Sequence, residues 1–399
     1  MSCSDEAYGQ VLGPHLPAHL YVHIPFCASK CGYCDFASVA DAPDNIVRAV
    51  FTGTRTQITR WAHTGLEGVL ETVYFGGGTP SCHPSEVLGL LEHVREHFAV
   101  HSNAEITSEA NPDSLTPEML EDFSASGVTR VSVGVQSFDD HVLRVLGRRH
   151  DSATAYRACR DVVDAGLELS LDLMCGVPGQ TMTSWSESLE RALSTGANHM
   201  SVYPLSIEDG TPVQVAISAG LLDEPDPDVA ADMMLLAEGM LGYHGLARYE
   251  VANFARSRAH ESRHNSAYWT GRPYMGVGPG AHGMLEADVA RMVGLLAVEA
   301  RDVARVRYAN AGDIEQWLVG RGDSTEMLSP DEVAREDVML GLRLVRGVPA
   351  EQVEAAGLAA VLVSLDAGGL TELVDGRWRT TSRGWLLGNQ VFGRVWAGE

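Results

Sequence analysis

From Leu20 onward, short apolar runs alternate with longer stretches in which apolar residues recur every third or fourth position. The runs are Leu20–Ile24, Thr72–Phe75, Ala104–Thr107, Thr129–Val135, Leu169–Met174 and Met200–Tyr203. The periodic stretches between them are Ile46–Trp61, Ser85–Phe98, Pro117–Ser126, Ala153–Ala165 and Trp185–Ser194. Short continuous runs suit strands buried on both faces, and the longer periods suit amphipathic helices. Their alternation predicts βαβ units and a parallel sheet. About six such units fit before residue 205, too few for a closed eight-stranded barrel.

The alternation is not kept over residues 206–285. There, Asp223-Glu-Pro-Asp-Pro-Asp opens a helix expected from about Val229 to Gly242, with Asp228 as its N-cap. From about residue 300 the pattern turns helical, over Asp313–Val319, Pro330–Val345, Ala350–Leu365 and Asn389–Trp396. Asp375-Gly376 between two apolar runs is a hairpin signal. We therefore expect a loose arm over 1–18, a main unit over 19–285 and a small α+β unit over 300–399.

Composition narrows the partners. The chain of 399 residues carries a formal charge of −24. Such a field repels phosphate backbones and anionic membrane surfaces, so nucleic acid is excluded as an expected partner. No run reaches the length of a spanning helix, and Asp5 and Glu6 replace the apolar core of a signal peptide. A cytoplasmic protein without membrane insertion is the expectation. Lys30 is the sole lysine, a bias in favour of arginine rather than a functional signal.

The densest chemistry lies just after the first run, in Tyr21-Val-His-Ile-Pro-Phe-Cys27-Ala-Ser-Lys-Cys31-Gly-Tyr-Cys34-Asp-Phe36. Pro25 ends the strand, and three thiols follow on one short loop. Soft thiolates select iron–sulfur clusters, zinc or Cu(I). A zinc site lacks an obvious fourth ligand beyond His23 or Asp35, and a disulfide pair would leave one thiol over. A four-iron cluster normally takes four cysteines, so three local ones leave an iron open for a non-protein ligand. Cys3, Cys82, Cys159 and Cys175 are far away in sequence and read as single thiols, buried or incidental.

The Cys-x3-Cys-x2-Cys spacing after Tyr-Val-His-Ile-Pro-Phe resembles the signature of the radical S-adenosylmethionine (SAM) superfamily. Its flanks resemble the group that holds the oxygen-independent coproporphyrinogen III oxidases and the HemW heme chaperones. The resemblance implies a partial (β/α)6 barrel with a small winged-helix-like C-terminal domain. It further implies a 4Fe-4S cluster on Cys27, Cys31 and Cys34, with SAM on the open iron and cleavable to a 5′-deoxyadenosyl radical. The oxidases carry a further cysteine two places after the third; here that position is Phe36, the HemW-like pattern.

Gly76-Gly77-Gly78-Thr79-Pro80 directly follows the second run. Consecutive glycines let backbone approach a ligand, although a plain turn reads the same way. Glu109, Gln136, Arg148 and Asp172 stand in or just after later strands, where each alone is an ordinary cap or loop anchor. By resemblance, Tyr21, Gly77, Gly78, Thr79, Glu109, Gln136, Arg148 and Asp172 contact SAM. Cys175 replaces the aromatic residue usual at its position, so packing should differ there.

His264-Asn265-Ser-Ala-Tyr268-Trp269 is the second distinctive stretch. On the residues alone, a structural histidine is the simpler reading, although histidine is a common axial ligand of heme iron. The stretch resembles the HemW motif associated with heme, which would make His264, Asn265, Tyr268 and Trp269 the heme contacts and His282 a reserve ligand. The implied activity is that of a heme chaperone delivering heme to an apo-protein, with the respiratory chain as the expected destination. The alternative is a radical oxidative decarboxylation of coproporphyrinogen III. A zinc-binding structural protein is the third reading, and the oligomeric state, a homodimer included, is left open.

Overall fold

The computed structural model describes residues 15–399. Its first strand, β1 (His19–Ile24), pairs in parallel with β2 (Val69–Gly77), which pairs with β3 (Ala99–Ala110). The series continues in parallel through β4 (Arg130–Gln136), β5 (Glu168–Cys175) and β6 (His199–Pro204). Between consecutive strands lie α1 (Asp44–Ala62), α2 (Pro84–His97), α3 (Pro117–Ala125), then α4 (Asp140–Val145) with α5 (Ser152–Asp164), and α6 (Met182–Leu193). These are the units that the apolar runs predict, and the chain is an α/β protein.

Each of these strands has two inner faces of different chemistry. Val131, Val133, Leu169, Leu171, Met200 and Val202 pack beneath the helices in one continuous core. Ser132, Ser170, Asp172 and Ser201 alternate with them and face a cavity on the concave side. Parallel strands covered on both sides read as nearly continuous apolar runs, and these serines interrupt them only lightly.

The sheet does not end with six strands. After α7 (Pro212–Ser218) and α8 (Pro227–Tyr243), β7 (Ala247–Arg248) and β8 (Asn253–Ala255) extend one edge in antiparallel fashion. Asp226, not Asp228, caps α8: its carboxylate accepts from the Asp228 and Val229 amides because Pro227 occupies the first helical position. Following α9 (Arg263–Trp269), β9 (Tyr274–Val277) pairs in parallel with β1 at the other edge. Antiparallel β10 (His282–Glu286), β11 (Arg305–Ala309) and β12 (Ser324–Leu328) then complete a twelve-stranded sheet among the described residues.

The unit expected to begin at 300 therefore begins later. β11 and β12 belong to the main sheet, and α10 (Ala287–Met292) and α11 (Ile314–Leu318) flank them. A second core forms beyond residue 329, from α12 (Pro330–Gly341), α13 (Ala350–Ala355), α14 (Ala359–Ala367) and α16 (Gly388–Ala397), while α15 (Ser382–Leu386) packs Trp385 into the main core. Its wing is a three-stranded sheet of β13 (Val348–Pro349), β14 (Thr371–Val374) and β15 (Arg377–Thr380). Asp375 (φ 50°) and Gly376 (φ 74°) make the two-residue turn that the Asp-Gly pair predicts.

The loose arm over 1–18 lies mostly outside the described residues, but its end is not loose. Leu16 and Pro17 are buried, and the Leu16 amide donates to the Glu67 carbonyl at 3.1 Å. No helix among the described residues is long and apolar enough to cross a membrane.

Candidate functional site

Ligand sites of parallel α/β sheets lie at the carboxyl ends of the strands. Here that edge opens into a cavity of about 360 Å³. The loop after β1 supplies Cys27, Cys31 and Cys34, all three free, half-buried and facing the cavity. The loop is held at both ends. A short parallel pairing joins Phe26 and Cys27 to Val39 and Ala40, and the Gly32 amide donates to the Leu146 carbonyl at 2.9 Å.

The glycine run after β2 is shaped by this loop. A Cβ on Gly78 would stand 2.6 Å from the Phe26 carbonyl oxygen and 2.7 Å from that of Ile24. Gly77 adopts φ 105°, and a Cβ there would enter the His23 ring. Close approach of backbone to backbone is thus the local reason for both glycines.

Facing the thiols are the ends of β3, β4 and β5. Glu109 accepts from the Tyr74 hydroxyl at 2.8 Å and from the Gly77 amide at 3.1 Å. Burial pushes its carboxyl up to about 7. Asp172, approached by Ser132 and Ser201, is pushed up to about 6, again chiefly by burial. Gln136 adopts φ 65°, a strained conformation for a residue with a side chain, and the ladder between β4 and β5 slips beside it. Arg148 donates to Cys31 Sγ at 3.0 Å and to the Gly134 carbonyl at 2.6 Å.

Of the SAM contacts implied by resemblance, Gly77, Gly78, Thr79, Glu109, Gln136, Arg148 and Asp172 all line this cavity. Tyr21 does not line it; its ring stacks on Tyr74 and its hydroxyl meets His23 Nδ1 at 3.2 Å.

Several lining residues escape a reading of motifs. Asn111 joins the two walls: its amide donates to Thr79 Oγ1 at 3.0 Å, and its oxygen accepts from Arg148 at 2.7 Å. Thr79 in turn lies 3.5 Å from Cys27 Sγ. Arg130 and His199 form the cavity floor, where Arg130 meets Glu168 at 2.8 Å. Lys30, the sole lysine, stands on the rim. Cys82, remote in sequence, sits close to the cysteine loop, its thiol against the Ala28 backbone, because the glycine turn returns the chain there. Cys159 and Cys175 are buried, and burial pushes each thiol up to about 12.

The His264 stretch forms α9, which covers the open side of β1 and β2. His264 is buried, with Nδ1 2.7 Å from Thr72 Oγ1 and Nε2 2.8 Å from the Tyr268 hydroxyl. Burial depresses it to about 3. Both ring nitrogens are engaged, so a direct axial bond to heme iron does not fit this conformation. Tyr268 is spent on that hydrogen bond, and Trp269 lies beneath the Arg343 guanidinium at 5.0 Å. Asn265 alone of the four reaches the cavity. His282, by contrast, is exposed at the start of β10.

Residues 21–192 match the model of the radical SAM superfamily, and residues 328–387 that of the HemN C-terminal domain. The chain is 36% identical to the heme chaperone HemW of Mycobacterium tuberculosis over 95% of its own length and 94% of the relative's. It belongs to the HemW family. A second HemW, from Bacillus subtilis, is 32% identical over 94% of this chain and 97% of the relative. Among solved structures, coproporphyrinogen III oxidase (HemN) from Escherichia coli superposes with a TM-score of 0.77 at 21% identity, covering 96% of this chain and 90% of that one. That likeness is one of fold.

The donor set fits a four-iron cluster: three thiols face one cavity, and Cys27 and Cys31 already have hydrogen-bond donors. The superfamily implies the cluster and SAM.

Proposed function

We propose that this chain is a heme chaperone that holds a 4Fe-4S cluster on Cys27, Cys31 and Cys34, binds SAM beside it, and passes heme to an acceptor apo-protein, with a respiratory protein as the expected destination. One observation carries the reading: three free thiols share a cavity with two carboxylates whose pKa burial raises and a half-buried guanidinium. SAM has matching charges. Its amino group and sulfonium suit Glu109 and Asp172, and its carboxylate suits Arg148. Thr79 and Asn111 hold Arg148 and the cysteine loop in one network, so the pocket is ordered before the ligand enters. A bound cluster would supply one-electron reduction to a ligand at its open iron.

Phe36 takes the place where the oxidases carry a fourth cysteine. It is 60% exposed at the cavity rim, an apolar surface rather than a further thiol. In this reading His264 braces α9, and the heme contact passes to His282. That histidine lies on a segment packed against the cysteine loop: a Cβ on Gly280 would stand 3.1 Å from Ala37 Cβ.

A heme titration of the anaerobically reconstituted protein, followed by the Soret band, tests this. Stoichiometric binding that survives His264→Phe and weakens in His282→Ala is expected. Absence of specific binding in the unaltered protein overturns the chaperone reading, and decarboxylation of coproporphyrinogen III would put the oxidase in its place.

A further inference from the structure

The last turn of α2 carries His93, Glu96 and His97 on one face, and a ligand atom from each lies within 4.8 Å of the others. The spacing i, i+3, i+4 brings side chains together on a helix surface. The two imidazole centroids are 4.1 Å apart. Neither ring is aimed at random.

His93 Nε2 faces the Arg55 carbonyl at 3.1 Å and Thr59 Oγ1 at 2.9 Å. Thr59 already donates its own proton to the Arg55 carbonyl at 3.0 Å. Nε2 of His93 must therefore carry the proton, which leaves the lone pair on Nδ1. His97 is set the opposite way. Its Nδ1 faces the His93 carbonyl at 2.9 Å and donates to it, leaving the lone pair on Nε2. Fixing one ring nitrogen against a carbonyl so that the other is free is how proteins orient histidine ligands. Glu96 Oε2 lies 3.6 Å from His93 Nδ1, near the roughly 3.3 Å that two donors of a tetrahedral zinc ion keep between them. The negative end of the helix dipole adds to the attraction of a cation there.

We propose that His93, Glu96 and His97 form a second metal site, for a divalent transition cation such as Zn²⁺, with water completing the shell. Imidazole with carboxylate selects Zn²⁺, Ni²⁺ or Cu²⁺ over Mg²⁺ or Ca²⁺. α2 runs back from the carboxyl ends of the strands, so its last turn lies at the edge of the sheet opposite the cysteine loop. The site is thus separate from the cavity. Because His93 is tied to α1 through Thr59, an ion there would pin the two helices together.

The test is a Zn²⁺ titration of the cluster-loaded protein against a chromophoric chelator, with Cys27, Cys31 and Cys34 occupied by iron. One equivalent should bind, weaken by at least about 10–100-fold in His97→Ala, and weaken less in Glu96→Gln. Zn²⁺ should also raise the melting temperature of the unaltered protein but not of His97→Ala. Identical isotherms for the three proteins, or no binding to the unaltered one, would overturn the proposal. Glu96 is 61% exposed, so its variant keeps the test open should His97→Ala not fold.

Discussion

Arg148 gives one guanidinium nitrogen to Cys31 and the other, at 2.7 Å, to the side-chain oxygen of Asn111. Asn111 completes the connection through Thr79 to Cys27. Two thiols on opposite sides of the loop thus answer to one amide. Asn111→Ala leaves a half-buried guanidinium and a buried threonine each short of a partner, a loss of about 1–3 kcal/mol for a hydrogen bond to a charged group. Urea denaturation of the cluster-free chain should show this destabilisation. SAM affinity, read by calorimetry on the reconstituted protein, should fall with it. An unchanged affinity would mean that Arg148 holds its position without Asn111.

Gly78→Ala should be more damaging. The added methyl meets the Ile24 and Phe26 carbonyls, which are backbone and cannot swing aside. Those carbonyls accept from the Gly78 and Thr79 amides at 2.8 and 2.7 Å, so the exit of β1 moves with any shift. Overpacking of this kind costs about 1–3 kcal/mol or more. Iron bound per chain after reconstitution should drop, while Gly239→Ala, where a Cβ meets nothing, should leave it unchanged.

The cysteine loop and the strand–helix order were legible because each rests on local pattern: close thiols, apolar runs and helical periods. Asn111 carries no such mark. It follows Ala110 in a loop, and its importance comes from Thr79 and Arg148, which only the fold brings to it. α4 spans six residues, too few to show a helical period. β12, Ser324-Thr-Glu-Met-Leu, shows neither alternation nor a continuous apolar run, and β11 is only five residues long, so neither stands out before their pairing is known. His264 shows the reverse limit. Its motif stands out in sequence, yet a histidine that binds iron and one that braces two hydroxyls have the same letter.

Arg305 on β11 meets Glu336 at 2.9 Å and Asp337 at 2.7 Å, both on α12 of the C-terminal domain. Arg305 and Glu336 are almost fully buried. Arg305→Met would leave the buried Glu336 with Arg307 alone, at 3.0 Å, and take the Arg305 pairing from Asp337, a loss of about 1–3 kcal/mol for hydrogen bonds to charged groups. Limited proteolysis should then release the C-terminal domain from the main sheet at protease levels that leave the unaltered chain whole.

Glu109 gives the clearest pH dependence. Burial lifts it from 4.5 to about 7, and Asp172 from 3.8 to about 6. Between those limits the folded chain keeps protons that the unfolded chain has released. Stability from these two groups therefore falls as pH rises, and levels off above about 7. His19 and His264 act in the opposite sense. Burial depresses them from 6.5 to about 4 and about 3, so below 6.5 the unfolded chain takes up protons that the folded one refuses. The stability of the whole chain mixes both slopes, and only a difference isolates Glu109. Glu109→Gln removes the ionising group and keeps an acceptor for the Tyr74 hydroxyl. Its stability relative to the unaltered cluster-free chain should rise from about pH 4.5 to about 7 and stay constant beyond, as read by urea denaturation across that range. SAM affinity should move the other way: it should increase with pH through about 7 in the unaltered protein, as Glu109 ionises to meet the amino group, and be weak and flat in the variant. Parallel stability curves would show that Glu109 is already ionised in the folded chain, and would remove the charge argument for its place in the SAM site.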